Sequence, residues 1–258
     1  MKDQLLPYLT PPERGAAFLQ VCDRTLDELT AANGIGTLAE KSIHAVLKRF
    51  YAGDPAYEEI RCCGFVADIR TPAGITEIQT RSFYTMKRKL HAFLPECPVT
   101  IVYPVVYRKW LSWIDPENGA VSKPRRTSRT NYGFSVFPEL YGIKDFLRHP
   151  NLSFRLALLD VEEYKMLDGY GPNRKIRASR NDGLPQALIA EVPLKNPESF
   201  SYFLPKQLPE RFTAGDLAAC AKVNRELASI ALNILLHMDT VRRIGKTGKA
   251  YQYERADL

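Results

Sequence analysis

No run in this 258-residue chain is apolar for long enough to span a membrane. The opening residues, Met1-Lys2-Asp3-Gln4-Leu5-Leu6-Pro7, lack the apolar region of a secretory signal. Cysteine is sparse and unpatterned: Cys22, Cys62, Cys63, Cys97 and Cys220 are odd in number and form no C-x-x-C pair. That pattern argues against a zinc site and a disulfide framework, so reduced core thiols in a cytoplasmic protein are expected. Internal repeats and low-complexity tracts are lacking too. Gly169-x-Gly171 has no third, helix-opening glycine, so it is not a dinucleotide fingerprint. Acidic residues are in deficit, 29 against 36 Lys and Arg, which leaves a net charge of +7. A basic balance favours a polyanionic partner. What remains is an ordinary folded composition, 45% hydrophobic and 25% charged, at a length that suits one large domain or two smaller ones.

The chemistry concentrates in Val66-Ala67-Asp68-Ile69-Arg70-Thr71-Pro72-Ala73-Gly74-Ile75-Thr76-Glu77-Ile78-Gln79. Apolar and polar residues alternate on both sides of Pro72 and Gly74, the pattern of two strands joined by a tight turn. If Arg70 pairs with Ile75, antiparallel register puts Asp68 opposite Glu77, with Cβ atoms roughly 5 Å apart. Gln79 leaves the same face two residues on. Two adjacent carboxylates repel unless a cation lies between them or one is protonated. Mg²⁺ favours oxygen donors of this kind. The bland alternative is a solvent-facing hairpin edge with scattered charges.

Around the hairpin the elements fall in a definite order. Ala17, Phe18, Val21, Leu26 and Leu29 predict a helix over residues 12–31, ending at Asn33-Gly34. Thr37-Leu38-Ala39-Glu40 has the form of a capping box. It opens a second helix with Leu38, Ile43, Val46, Leu47 and Phe50 on one stripe. Glu40 either serves that cap or turns towards the hairpin. A strand is expected over 57–64, then the hairpin, then a helix from Ser82 to Leu94. The outer face of that helix carries Lys87, Arg88 and Lys89, either a solvated face or a phosphate contact. The apolar run 98–107 reads as a strand buried on both faces.

This order of helix, three strands, helix and strand resembles the core of the PD-(D/E)-x-K superfamily of nucleases. The resemblance covers roughly residues 37–105. It implies a restriction-endonuclease-like α/β (α+β) fold, a mixed sheet flanked by helices, binding Mg²⁺ or Mn²⁺. Glu40 matches the family's helix acid, Asp68 its strand acid and Glu77-Ile78-Gln79 its E-x-K. Asp68, Glu77 and Glu40 are therefore the implied metal ligands. Gln79 stands where the family usually has lysine, and it neither carries charge nor titrates. Lys87 or Arg81 is expected to supply the missing cation.

Beyond the core, residues 123–129 form a basic loop with Arg125, Arg126 and Arg129, either a phosphate-binding arm or a plain surface loop. A helix is expected over 138–149 and a buried strand over 151–159. A second basic stretch spans 169–180. The proline-spaced region 185–205 reads as a connector. Towards the C-terminus, Thr213 caps a short helix and Arg225 opens a longer one, which a hairpin with Arg242, Arg243, Lys246 and Lys249 follows. This arrangement resembles a winged helix-turn-helix domain. It implies that Arg225, Ser229 and Asn233 face outward as readers of DNA, with the hairpin as the wing.

The expected organisation is thus an N-terminal helical segment (1–36), a nuclease-like core (37–204) and a winged helix (205–258). The expected function is Mg²⁺-dependent phosphodiester cleavage of DNA, with no membrane contact. Two rivals stay open: a nuclease-like DNA-binding protein that has lost turnover, and a winged-helix module that packs against protein.

Overall fold

Residue periodicity translates directly into the first elements. The computed structural model describes residues 1–33, 41–115, 117–166 and 179–257. A short helix α1 (Lys2–Leu5) precedes α2 (Pro12–Asn33) and α3 (Lys41–Ala52). Helix α3 turns Ile43, Val46 and Leu47 inward and stops at Gly53, whose φ of +68° suits glycine. Strands β1 (Glu58–Cys62), β2 (Phe65–Thr71) and β3 (Gly74–Ile78) form an antiparallel meander. A 3-10 turn (Phe83–Met86) then leads into α4 (Lys87–Phe93). Glu40 and residues 169–178 of the second basic stretch lie outside the described residues.

Next come β4 (Val99–Ile114), β5 (Arg125–Thr130), α5 (Phe137–Gly142), β6 (Leu152–Met166) and β7 (Ser179–Leu194). Among the described residues the main sheet runs β1-β2-β3-β4-β6-β7, with β5 attached to β4. Strand β3 pairs parallel with β4, β4 parallel with β6, and β7 closes the sheet antiparallel to β6. One edge of β4 is shared. Strand β3 covers Val99 to Val102, and β5 covers Arg108 to Leu111.

The fold is therefore mixed α/β, a large mixed sheet with helices on both faces. Strand β4 is buried on both sides, as its apolar run predicts. Its Ile101 joins a cluster with Phe83, Phe93, Phe137 and Leu158, while Val102 joins Phe18, Leu47, Ile69 and Ile78 on the other face. Burying each such side chain stabilises the fold by about 1.5–3 kcal/mol.

Three local expectations need correction. The basic segment 123–129 is not a loop: Arg125–Thr130 is strand β5, held by the free edge of β4. The region 185–205 is not a connector. Pro185 and Pro193 lie inside β7, where they are tolerated because β7 is the outermost strand and proline lacks only a ladder donor. The helix over 138–149 is two short pieces, α5 and a 3-10 turn (Lys144–Phe146), because Gly142 ends the first.

The chain ends with α6 (Pro197–Phe200), β8 (Arg211–Phe212), α7 (Ala214–Ala221), α8 (Arg225–His237), β9 (Val241–Thr247) and β10 (Ala250–Arg255). Thr213 caps α7 through the Gly215 and Asp216 N–H groups, and Asp216 bonds back to Thr213. The three strands order as β8-β10-β9. Ala228 and Leu232 of α8 share one apolar cluster with Phe137 and Phe203, so this segment is welded to the main sheet. Among the described residues no helix is long and apolar enough to cross a membrane.

Candidate functional site

The hairpin has the expected register: Arg70 pairs with Ile75 and Thr71 with Gly74. Gly74 has φ +137°, and a Cβ built there would come within 2.4 Å of the Pro98 carbonyl oxygen. That same oxygen accepts the Ile75 N–H at 2.9 Å. Glycine thus lets β3 approach β4 closely and fixes where Glu77 falls.

Past Ile69 and Thr76 the backbone ladder stops and carboxylates replace it. Glu77 Oε1 accepts the Asp68 N–H at 3.2 Å, and Asp68 Oδ2 accepts the Ile78 N–H at 2.8 Å. The strands part here, and both flanking helices reach the gap. Lys89 of α4 donates to Glu77 Oε2 at 2.8 Å. His44 Nε2 of α3 lies 3.5 Å from Asp68 Oδ2. Glu77 is only 2% exposed.

The two carboxyls titrate apart. Burial raises the Glu77 pKa, the Asp68 charge adds to it, and Lys89 only partly offsets both. Burial also pushes Asp68 upward, but the His44 and Ile78 hydrogen bonds outweigh it and hold that group below its ordinary value. Environments that separate two neighbouring carboxyls in this way recur at catalytic and metal sites.

The other expected site residues divide into those near this pair and those elsewhere. Gln79 follows Glu77, donates its N–H to the Val102 carbonyl at 2.9 Å, and ties its amide to the Arg81 carbonyl. With His44 and Arg81 it lines an open cavity of about 530 Å³. Lys87, one of the two cations expected with Arg81 to replace the family lysine, instead packs 4.8 Å from the Tyr84 ring. The cation on Glu77 is Lys89, which the sequence hid in a charge run. His44 was missed as well, and only its place one helical turn after Glu40 hinted at it. Among the described residues no group of three His, Cys, Asp or Glu side chains is arranged to hold a metal.

The remaining basic candidates lie on β5, α8 and the β9–β10 hairpin. Arg125, Arg126 and Arg129 are exposed along β5. Arg225 and Ser229 are exposed at the start of α8, where Ser229 Oγ donates to the Arg225 carbonyl. Asn233 does not face outward as expected. It is half-buried and accepts from Lys144 at 2.8 Å, because the second half of α8 packs on α5. On the β9–β10 hairpin, Arg242 is paired with Glu254 and Asp257. Arg243 and Lys246 sit 4.1 and 4.8 Å from the Tyr251 ring, and Lys249 is exposed.

A mixed α/β sheet with a carboxylate pair and a lysine at a splayed hairpin is the class this geometry defines. By sequence the chain belongs to the family described as Domain of unknown function (DUF8091), whose model matches residues 41–195. That span contains His44, Asp68, Glu77, Gln79 and Lys89 and ends before α7 and α8. An "Uncharacterized protein" of Treponema pallidum (strain Nichols) is 28% identical over 185 residues, covering 71% of this chain and 73% of that one. No solved structure matches.

Proposed function

We propose that the chain is a divalent-metal-dependent phosphodiesterase of the PD-(D/E)-x-K type acting on DNA. The observation that carries this reading is the convergence of Asp68, Glu77 and Lys89 where β2 and β3 part. The element order of α3, the β1–β3 meander, α4 and β4 supports it, as does the parallel β3–β4 pairing.

The donor set fits Mg²⁺ or Mn²⁺. Asp68 lies close enough for its charge to help raise the Glu77 pKa, so a cation shared by the two carboxylates would relieve their repulsion. Mg²⁺ is commonly held by one or two carboxylates, with water and substrate phosphate completing its shell. Bound there, the ion would activate a water and neutralise charge on the phosphoryl group.

The chain's own residues do the rest. Asp68 and Glu77 are fixed by each other's strand, so they cost little to organise when substrate arrives. Lys89 supplies the positive charge that Gln79 lacks, favours the ionised form of Glu77, and stands ready to steady negative charge in the transition state. His44 fixes Asp68 from the opposite side.

The C-terminal segment is read as a winged helix. Its β8-β10-β9 order, the capped α7, the turn to α8 and the Tyr251 ring flanked by Arg243 and Lys246 support DNA contact through the hairpin and the first turn of α8. A second reading, DNA binding without turnover, draws on Gln79, whose amide is engaged by Arg81. The two are separated by incubating purified protein with linear, nicked and branched DNA in Mg²⁺, Mn²⁺ or EDTA. Metal-dependent products that Glu77→Gln abolishes support the enzyme. Salt-dependent binding with no products in either metal supports the second reading.

A further inference from the structure

Strands β3 and β5 leave the same edge of β4 from opposite ends. The Gln79 N–H is the last to reach β4, at Val102, and the Asn131 N–H rejoins it at Tyr107. Five residues separate these points, about 16 Å along the strand. Beside Asn131 lies a second cavity of about 220 Å³, walled on its far side by the turn between α7 and α8. It therefore lies between the basic strand and the helix-turn-helix, along the sheet from the carboxylates.

Its chemistry is selective. Arg129 and Lys222, both exposed, bring two cations, and no Asp or Glu lines the space. Tyr132 offers a ring, half-buried and edge-on to Tyr107 at 5.5 Å. The Asn131 amide accepts from Gly133 N–H and donates to Ser135, which leaves one proton and one lone pair. Phe134 and Leu227 add apolar wall. The volume is several times the ~30 Å³ share of a water, enough for one planar ring and too small for a double helix.

We infer that this cavity takes the base of one unpaired nucleotide in a DNA strand whose phosphates lie on Arg129 and Lys222. The inference rests on the DNA-directed reading above and narrows it to substrates with an unpaired base a few nucleotides from the carboxylates. A ring to stack on, an amide to meet a base edge and two cations with no acid are what an extruded nucleotide requires.

The test uses the full chain in EDTA, so that nothing is cut. The probes are a duplex with one unpaired 2-aminopurine, its fully paired counterpart, and free 2-aminopurine nucleoside monophosphate. The unpaired duplex is expected to bind about tenfold tighter than the paired one, with quenched fluorescence. Tyr132→Leu removes the ring, and Leu227→Trp fills the space from another element. Each should bring the preference for the unpaired duplex over the paired one below twofold, with circular dichroism reporting that each is folded. Equal affinity for the two duplexes, or quenching that survives both substitutions, would overturn the inference and leave the proposed function standing. Binding of neither duplex at low salt would overturn the reading beneath it. Saturable binding of the free monophosphate in that case would assign the cavity to a free nucleotide instead.

Discussion

Lys89 Nζ and Glu77 Oε2 lie 2.8 Å apart, joining helix α4 to the inner end of β3. The Glu77 side chain is almost wholly buried, and that of Lys89 is 27% exposed. Burial, Asp68 and Lys89 thus act on one carboxyl whose pKa stays raised on balance.

Removing that cation separates the two roles. Lys89→Ala is expected to lower metal-dependent cleavage about 100-fold. Its stability cost should be only about 1–2 kcal/mol, because the lysine is partly solvated and Glu77 can protonate. Lys89→Arg keeps the charge and should recover part of the rate. Cleavage rates set beside urea denaturation check both; a rate within threefold of wild type for Lys89→Ala would remove Lys89 from the chemistry.

Glu77→Gln and Asp68→Asn should each reduce cleavage at least about 100-fold while leaving DNA affinity in EDTA within a factor of about three. Parallel loss of binding would instead mean that these carboxylates shape the DNA surface.

Gly74→Ala carries its effect through the backbone. The new Cβ would meet the Pro98 carbonyl, so β3 must move on β4 and Glu77 with it. Stability should fall by more than about 1 kcal/mol, since alanine also resists φ +137°. Cleavage should fall further than the folded fraction does, which denaturation and rate measurements on one preparation would show.

Glu191 predicts an acid limb. Its carboxylate accepts from Arg14, Arg155 at 3.1 Å and Tyr51 at 2.7 Å. Burial alone would raise its pKa, but those partners outweigh burial and hold it below the usual 4.5. A carboxyl lowered by folding stabilises fully above its unfolded pKa, and that contribution fades as pH falls towards the folded value. Glu191→Ala should cost about 2 kcal/mol at pH ~7, less than a fully buried pair because both arginines are more than a third exposed. Glu191→Gln should be less acid-sensitive than wild type. Denaturation midpoints across pH ~3 to ~7 measure this, and an unchanged acid limb would contradict it.

Arg125, Arg126 and Arg129 are all exposed on β5, Arg125 and Arg129 on one face and Arg126 on the other. Replacing all three with alanine should weaken DNA binding independently of sequence. The slope of log K against log salt should fall by about 0.9 for each lost phosphate contact. An unchanged slope would place the DNA elsewhere.

The sequence made some of this legible and concealed the rest for physical reasons. Proline and glycine fixed the hairpin turn and the register up to Ile69 and Thr76, because register follows from turn length, but not the splay beyond it, where Asp68 turns to His44 and Glu77 to Lys89. Caps and apolar spacing located α7 and α8 for the same local reason. Lys89 was hidden because three consecutive cations on a helix look alike, and only the crossing of α4 over β3 decides which one turns inward. His44 depended on α3 meeting the gap from the other face. Strand β7 was obscured by prolines that only an outer strand tolerates, and the inward turn of Asn233 by Lys144 in the turn after α5, a partner far away in sequence.

The most direct measurement is a crystal of the protein soaked in Mn²⁺, with data collected at the manganese absorption edge. An anomalous peak is expected about 2.1 Å from carboxylate oxygens of both Asp68 and Glu77. A well-ordered hairpin with no peak there, while manganese binds elsewhere in the same crystal, would contradict it.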